Sequence, residues 1–139
     1  MLALLNVVKA VVVKLVGATT FPDRTGPNRA LRYSLGALPD KRDDVAQGED
    51  FPFCLLAPGK HALGREGKSQ VVEIVFGLYT PGDKLAGLTL ADSVLGLMTP
   101  AVREIYSPYK LQGELTGEIN TERHPYYILT LSGEFRKAR

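Results

Sequence analysis

One cysteine, Cys54, and two histidines, His61 and His124, are all that this chain of 139 residues offers as soft metal ligands. A lone cysteine excludes an internal disulfide and every multi-cysteine metal centre. The histidines show no His-x-x-x-His or Glu-x-x-His spacing, so neither a metal nor a cofactor is expected. Ser69, Ser93 and Ser107 lack a Gly-x-Ser-x-Gly surround, and no Ser, His and Asp set or isolated carboxylate pair stands out. Charge of one sign is scarce too: 17 Lys and Arg against 15 Asp and Glu leave a net charge of +2. Such a balance provides no long-range field to recruit nucleic acid or an anionic membrane. Arg24, Arg29, Arg32, Lys41 and Arg42 make the first third locally basic, but Asp23, Asp40, Asp43 and Asp44 are interleaved with them, which reads as a solvated polar segment.

Long hydrophobic runs are confined to the start. Residues 1–16 are apolar except for Asn6, Lys9 and Lys14. The lysines interrupt the run rather than precede it, which argues against a secretory signal, and the segment is too short and too charged to span a bilayer. On a helical wheel the three polar residues share a sector of about 140°, leaving a broad apolar face. An amphipathic helix over 1–17 is expected, docked on a sheet or on a neighbouring subunit, with the valine content keeping a strand as the alternative. Residues 19–49 contain Pro22, Gly26, Pro27, Gly36, Pro39 and Gly48, too many breakers for a helix or long strand. An irregular segment is expected there, with a short strand around 31–35.

Strand signals begin at Asp50. The run Phe51-Pro52-Phe53-Cys54-Leu55-Leu56 and the run Val71-Val72-Glu73-Ile74-Val75-Phe76 are β-branched or aromatic and bounded by Pro and Gly, as adjacent strands of one sheet would be. Cys54 falls where a strand would face the core, so a small buried hydrophobe is expected rather than a nucleophile. Between the runs, Ala62-Leu63-Gly64-Arg65-Glu66-Gly67-Lys68-Ser69 resembles a relaxed phosphate-binding loop. A phosphate loop works because it opens a helix whose first N–H groups hold the phosphates. Here a strand-like run follows Ser69, so a hairpin loop is expected; a small nucleotide-binding enzyme using Gly67-Lys68-Ser69 is the alternative from another functional class.

After the turn Thr80-Pro81-Gly82-Asp83, the residues Leu90, Ala91, Val94, Leu95, Met98, Val102 and Ile105 form a helical stripe, with Thr89 as its expected cap and a kink or restart at Pro100. Two further strands are expected over 109–119 and 126–135; in the second, Tyr127, Leu129, Leu131, Gly133 and Phe135 alternate with polar or outward positions. The expected fold is a single α+β domain over 1–139, with an antiparallel sheet of about four strands and two main helices packed on one face. Its core should hold Phe53, Leu55, Val72, Ile74, Phe76, Val94, Met98, Leu129 and Leu131 between sheet and helices, and residues 50–137 should supply the sheet and second helix.

The order of several segments resembles the tail terminator, or tail completion, proteins of long-tailed bacteriophages. They are Asp50-Phe-Pro-Phe53 followed by Gly59, Val71-Val-Glu-Ile-Val-Phe-Gly-Leu-Tyr79, the leucine-striped helix, Tyr109-Lys-Leu111, and His124-Pro-Tyr-Tyr127. The resemblance spans roughly residues 29–136. Pro100 and the Gly-rich loop before Ser69 depart from the family pattern. It implies a non-enzymatic structural subunit, assembled in the host cytoplasm and resident in the virion tail. Such subunits form a ring, usually hexameric, that caps the head-proximal end of the tail tube, stops its growth and meets the neck. A head-to-tail connector or minor tail protein of similar fold is the alternative within that class. The partners implied are further copies of the chain, the tube protein and a neck or head-completion protein, with no specific nucleic acid and no membrane. Asp43, Asp44, Arg65, Lys68 and Arg103 are the candidates for the polar rim of the contact, because charged residues there would set register more than affinity.

Overall fold

A computed structural model describes residues 1–36, 50–59, 69–99 and 103–137, with the side chains of residues 103 and 104 excepted. It is an α+β fold with two helices on one mostly antiparallel sheet. The first helix, α1 (Leu2–Val16), buries Leu4, Leu5, Val8, Val11, Val12 and Val16, the spacing of one helical face. Asn6 and Lys14 stay exposed. The broad apolar face therefore finds its cover within the chain, against the sheet and the second helix, and of its large side chains Leu2 and Val13 are exposed.

Next comes a hairpin of β1 (Phe21–Asp23) and β2 (Gly26–Arg29), then β3 (Arg32–Leu35). The irregular segment expected over 19–49 is thus partly ordered. The hairpin was illegible because Pro22 and Pro27 sit inside it; a two-stranded ribbon outside the main sheet tolerates prolines that a central strand would not. β3 matches the short strand expected around 31–35. Residues 37–49, which include the rest of that segment, lie outside the described residues.

The main sheet adds β4 (Phe53–Pro58), β5 (Ser69–Tyr79), β6 (Tyr109–Asn120) and β7 (Tyr126–Lys137), in the order β3-β4-β5-β7-β6. Five strands replace the four expected, and the added edge pair, β3 on β4, runs parallel. The other three pairings are antiparallel. Between β5 and β7 the second helix, α2 (Lys84–Met98), crosses the same face as α1 and buries Gly87, Ala91, Val94 and Met98. Its cap is Asp83, whose Oδ1 accepts the Ala86 amide at 3.0 Å. Thr89, the expected cap, lies inside the helix and donates its hydroxyl to the Leu85 carbonyl at 2.8 Å. Asp83 wins because its free side chain satisfies an orphan N–H of the first turn. α2 ends before Pro100, and a separate 3-10 turn, Arg103–Tyr106, follows instead of a continued helix.

The central layer holds Cys54, Leu56, Val72, Ile74, Phe76, Leu78, Leu129, Leu131 and Phe135 from the sheet, against α1, α2 and Tyr106. Phe53 and Leu55 are not part of it. They alternate with Cys54 and Leu56, point to the opposite face, and join a second cluster with Phe51, Val75, Tyr79, Tyr126 and Ile128. The run from Phe51 to Leu56 is apolar at nearly every position, so its pattern carries no information about which face is inward.

β6 carries Leu111, Leu115 and Ile119 four apart, a spacing that keeps them on one face of a strand. A bulge interrupts the pairing: Gln112 pairs with Glu134 and Thr116 with Ser132, so the register shifts by two residues around Gly113, whose φ is 75°. Leu115 and Leu111 then reach over Gly133 of β7, where an added Cβ would lie 2.6 and 3.0 Å from their terminal carbons.

Candidate interaction surface

The second cluster lies on the sheet face opposite the helices, at the end where β4 starts and β5 stops. Phe51 and Phe53 meet edge to face with centroids 5.1 Å apart; Tyr126 lies 4.9 Å from Phe51, and Tyr79 5.4 Å from Tyr126. The Phe53 ring covers Gly77 on β5, its cross-strand partner. A Cβ at Gly77 would fall 1.9 Å from a carbon of that ring, so only glycine admits it. The result is an aromatic ledge in which Phe51 and Phe53 are buried and Tyr79 and Tyr126 remain half-buried.

The β1–β2 hairpin stands beside this ledge and is fastened to it through arginine. Arg29 Nη2 donates to the Phe51 carbonyl at 2.9 Å, and Nη1 donates to the Ala30 carbonyl at 3.0 Å. Its Nε lies 3.4 Å from Asp23 Oδ2, an ion pair without a hydrogen bond. Burial, and then the charge of Arg32, pull the Arg29 pKa below its ordinary value, and Asp23 opposes them. The Arg24 guanidinium donates to the Tyr126 hydroxyl at 3.5 Å, the outer limit of such a bond. The interleaved charges around Arg24 and Arg29 read as a solvated polar segment, whereas the folded chain uses both side chains as ties. An Asp-x5-Arg spacing across Gly26-Pro27 was the one signal that could have hinted at a paired hairpin.

At the same end, on the helix side, the Tyr127 ring packs directly on Gly87 of α2, and the Tyr127 hydroxyl shares a hydrogen bond with His124 Nδ1. Burial, then Asp83, push the Tyr127 phenol pKa up. Thr80 donates its amide to the Pro125 carbonyl at 3.1 Å, so the end of β5 and the start of β7 are tied together. His124 is thereby a packing residue of the turn before β7.

Of the expected contact residues, Asp43, Asp44, Arg65 and Lys68 lie outside the described residues. Arg103 opens the 3-10 turn, and its side chain is not among those described. Gly67 and Lys68 of the phosphate-loop-like segment also lie outside them. Ser69 opens β5, is buried and pairs across to Arg136, so the residues that follow are strand rather than the helix a phosphate loop requires. Cys54 is buried, and burial raises its thiol pKa far above the ordinary range, which makes it a poor nucleophile. Among the described residues no three His, Cys, Asp or Glu side chains converge to hold a metal ion, and no helix is long and apolar enough to cross a membrane.

Two further features concern surface. The sheet ends on β3 and on β6, neither of which has a second strand neighbour among the described residues. On α2, Leu85 and Leu88 are 71% and 40% exposed, one turn apart. No protein-family model and no curated protein matches the chain.

Proposed function

We propose that this chain is a tail terminator of a long-tailed bacteriophage, a structural subunit that closes into a ring, by expectation a hexamer, on the head-proximal end of the tail tube. Its partners are then other copies of itself, the tube protein below and a neck protein above. The observation that carries this reading is the sequence resemblance over residues 29–136. Compatible with it are the strands at Phe53–Pro58, Ser69–Tyr79 and Tyr126–Lys137, which fall on the segments that bear the resemblance. A sheet whose outer strands β3 and β6 have no second strand neighbour among the described residues also offers two different edges, as a repeating head-to-tail contact needs. Residues 39–49 and 59–69, with Asp43, Asp44, Arg65 and Lys68, would supply the polar rim of that contact together with Arg103.

The test is to mix the purified chain with preassembled tail tubes and image their ends by electron microscopy. Rings at one end and arrested elongation are expected. Tubes that keep growing with no added ring at either end would refute the proposal.

A further inference from the structure

We infer that the β1–β2 hairpin is a strap that opens independently of the rest of the fold and gates the aromatic ledge formed by Phe51, Phe53, Tyr79 and Tyr126. This inference does not depend on the proposed function. The hairpin forms its own two-stranded sheet and shares no strand pairing with the five-stranded one. Of its two strands only Phe21 is buried; Gly26, Pro27 and Asn28 are exposed. An isolated two-stranded ribbon is marginal in water, so its position depends on what ties it down. Towards the ledge those ties are polar: Arg29 to the Phe51 carbonyl and Arg24 to the Tyr126 hydroxyl. Both arginines hold residues of the ledge itself. Opening therefore breaks these arginine ties, withdraws Phe21 from its place in the main core, and uncovers the carbonyl of Phe51 and the rim of Tyr126 together.

By contrast β5 pairs with β7 along its whole length and with β4 over Val72–Gly77, so its central residues lose protection only when the sheet comes apart. Segments with few buried apolar contacts open at a lower free energy than such a core. The strap should consequently open as one local unit while α1 and the strands that carry the ledge, β4, β5 and β7, stay closed.

Native-state hydrogen exchange followed by mass spectrometry tests this on the intact chain over a series of low urea concentrations. In the wild type, amides of residues 21–29 should exchange through an opening that urea barely accelerates, whereas amides of 70–78 should exchange through a urea-sensitive global opening. Arg29→Ala should speed exchange of 21–29 by about tenfold or more, because it removes the hydrogen bonds to the Phe51 and Ala30 carbonyls and the ion pair with Asp23. It should leave 70–78 unchanged and raise fluorescence of the apolar dye anilinonaphthalene sulfonate. Arg24→Ala should act in the same direction and more weakly. If residues 21–29 carry the same protection and urea dependence as 70–78 in the wild type, the hairpin is part of the core and the inference fails. It fails equally if both variants leave exchange of the hairpin and dye binding untouched. Should Arg29→Ala not fold, the wild-type urea series and Arg24→Ala decide the matter alone.

Discussion

The two faces of this sheet are built from the same strands and held in different ways. On the helix side, α1 and α2 press a continuous layer of aliphatic and aromatic side chains onto β4, β5 and β7, and 23 buried residues among those described form one cluster. On the other side the cluster among the described residues has two buried side chains, Phe51 and Phe53, with five half-buried neighbours. Each buried Val, Leu, Ile or Phe contributes about 1.5–3 kcal/mol, so nearly all the stability resides on the helix side. The open face is free to be shaped by something other than stability. Aromatic rings gather at one end, while Glu73, Thr130, Ser132 and Glu134 occupy outward positions further along β5 and β7.

Truncation at the centre of the helix-covered face should have the largest effect. Phe76 and Ile74 are fully buried among Leu56, Leu129 and Leu131. Phe76→Ala and Ile74→Ala should each cost about 3–5 kcal/mol in a urea titration, because the rigid layers cannot collapse into the void. A loss below about 1 kcal/mol at both sites would mean that the core is not where these strands place it.

The same truncation on the opposite face sharpens the contrast. Phe53→Ala uncovers Gly77 and removes a ring contact with Phe51, and should cost about 2 kcal/mol; Leu55→Ala, at a half-buried position, should cost about 1 kcal/mol. Equal losses at Phe53 and Phe76 would abolish the distinction between a load of packing on one side and a thin aromatic cover on the other.

That distinction was only partly legible in the sequence. α1, α2 and the four long strands could be read from apolar periodicity and from the turn Thr80-Pro81-Gly82-Asp83, because a long amphipathic pattern overdetermines its element. Alternation placed the inward face of β7 as well. It did not place the face of β4, since Phe53, Cys54, Leu55 and Leu56 are all apolar and only tertiary packing breaks the tie. The hairpin was missed for a different reason: its strands are three and four residues long, contain two prolines, and are held by Arg29 rather than by a hydrophobic stripe. Thr89 was read as a cap because a stripe starts beside it, whereas Asp83 is marked only by its position after a Pro-Gly turn. The charged contact candidates rest on loop composition and family resemblance, which contain no geometry.

The smallest effect comes from the edge of the helix-covered face, where β3 pairs with β4. Tyr33 lies opposite Cys54, packs against the main core, and has a buried hydroxyl with no hydrogen-bond partner among the described residues. Burial, with Cys54 beside it, pushes its phenol pKa up to about 12, against about 10 in an unfolded chain. The sign of the linkage follows. Below pH 10 both states hold the proton and its contribution is fully present; as pH rises from about 10 towards about 12 the unfolded state loses its proton first, so stability falls. Tyr106 and Tyr127, also raised by burial, act in the same direction. Tyr33→Phe removes both the unpaired hydroxyl and the titration. At pH 8 it should leave stability unchanged or raise it by less than about 1 kcal/mol. Between pH 9 and pH 11 the variant should lose less stability than the wild type in paired urea titrations. An identical decline in both proteins would mean that the β3 edge is wet, and that the dry helix-side layer stops at β4.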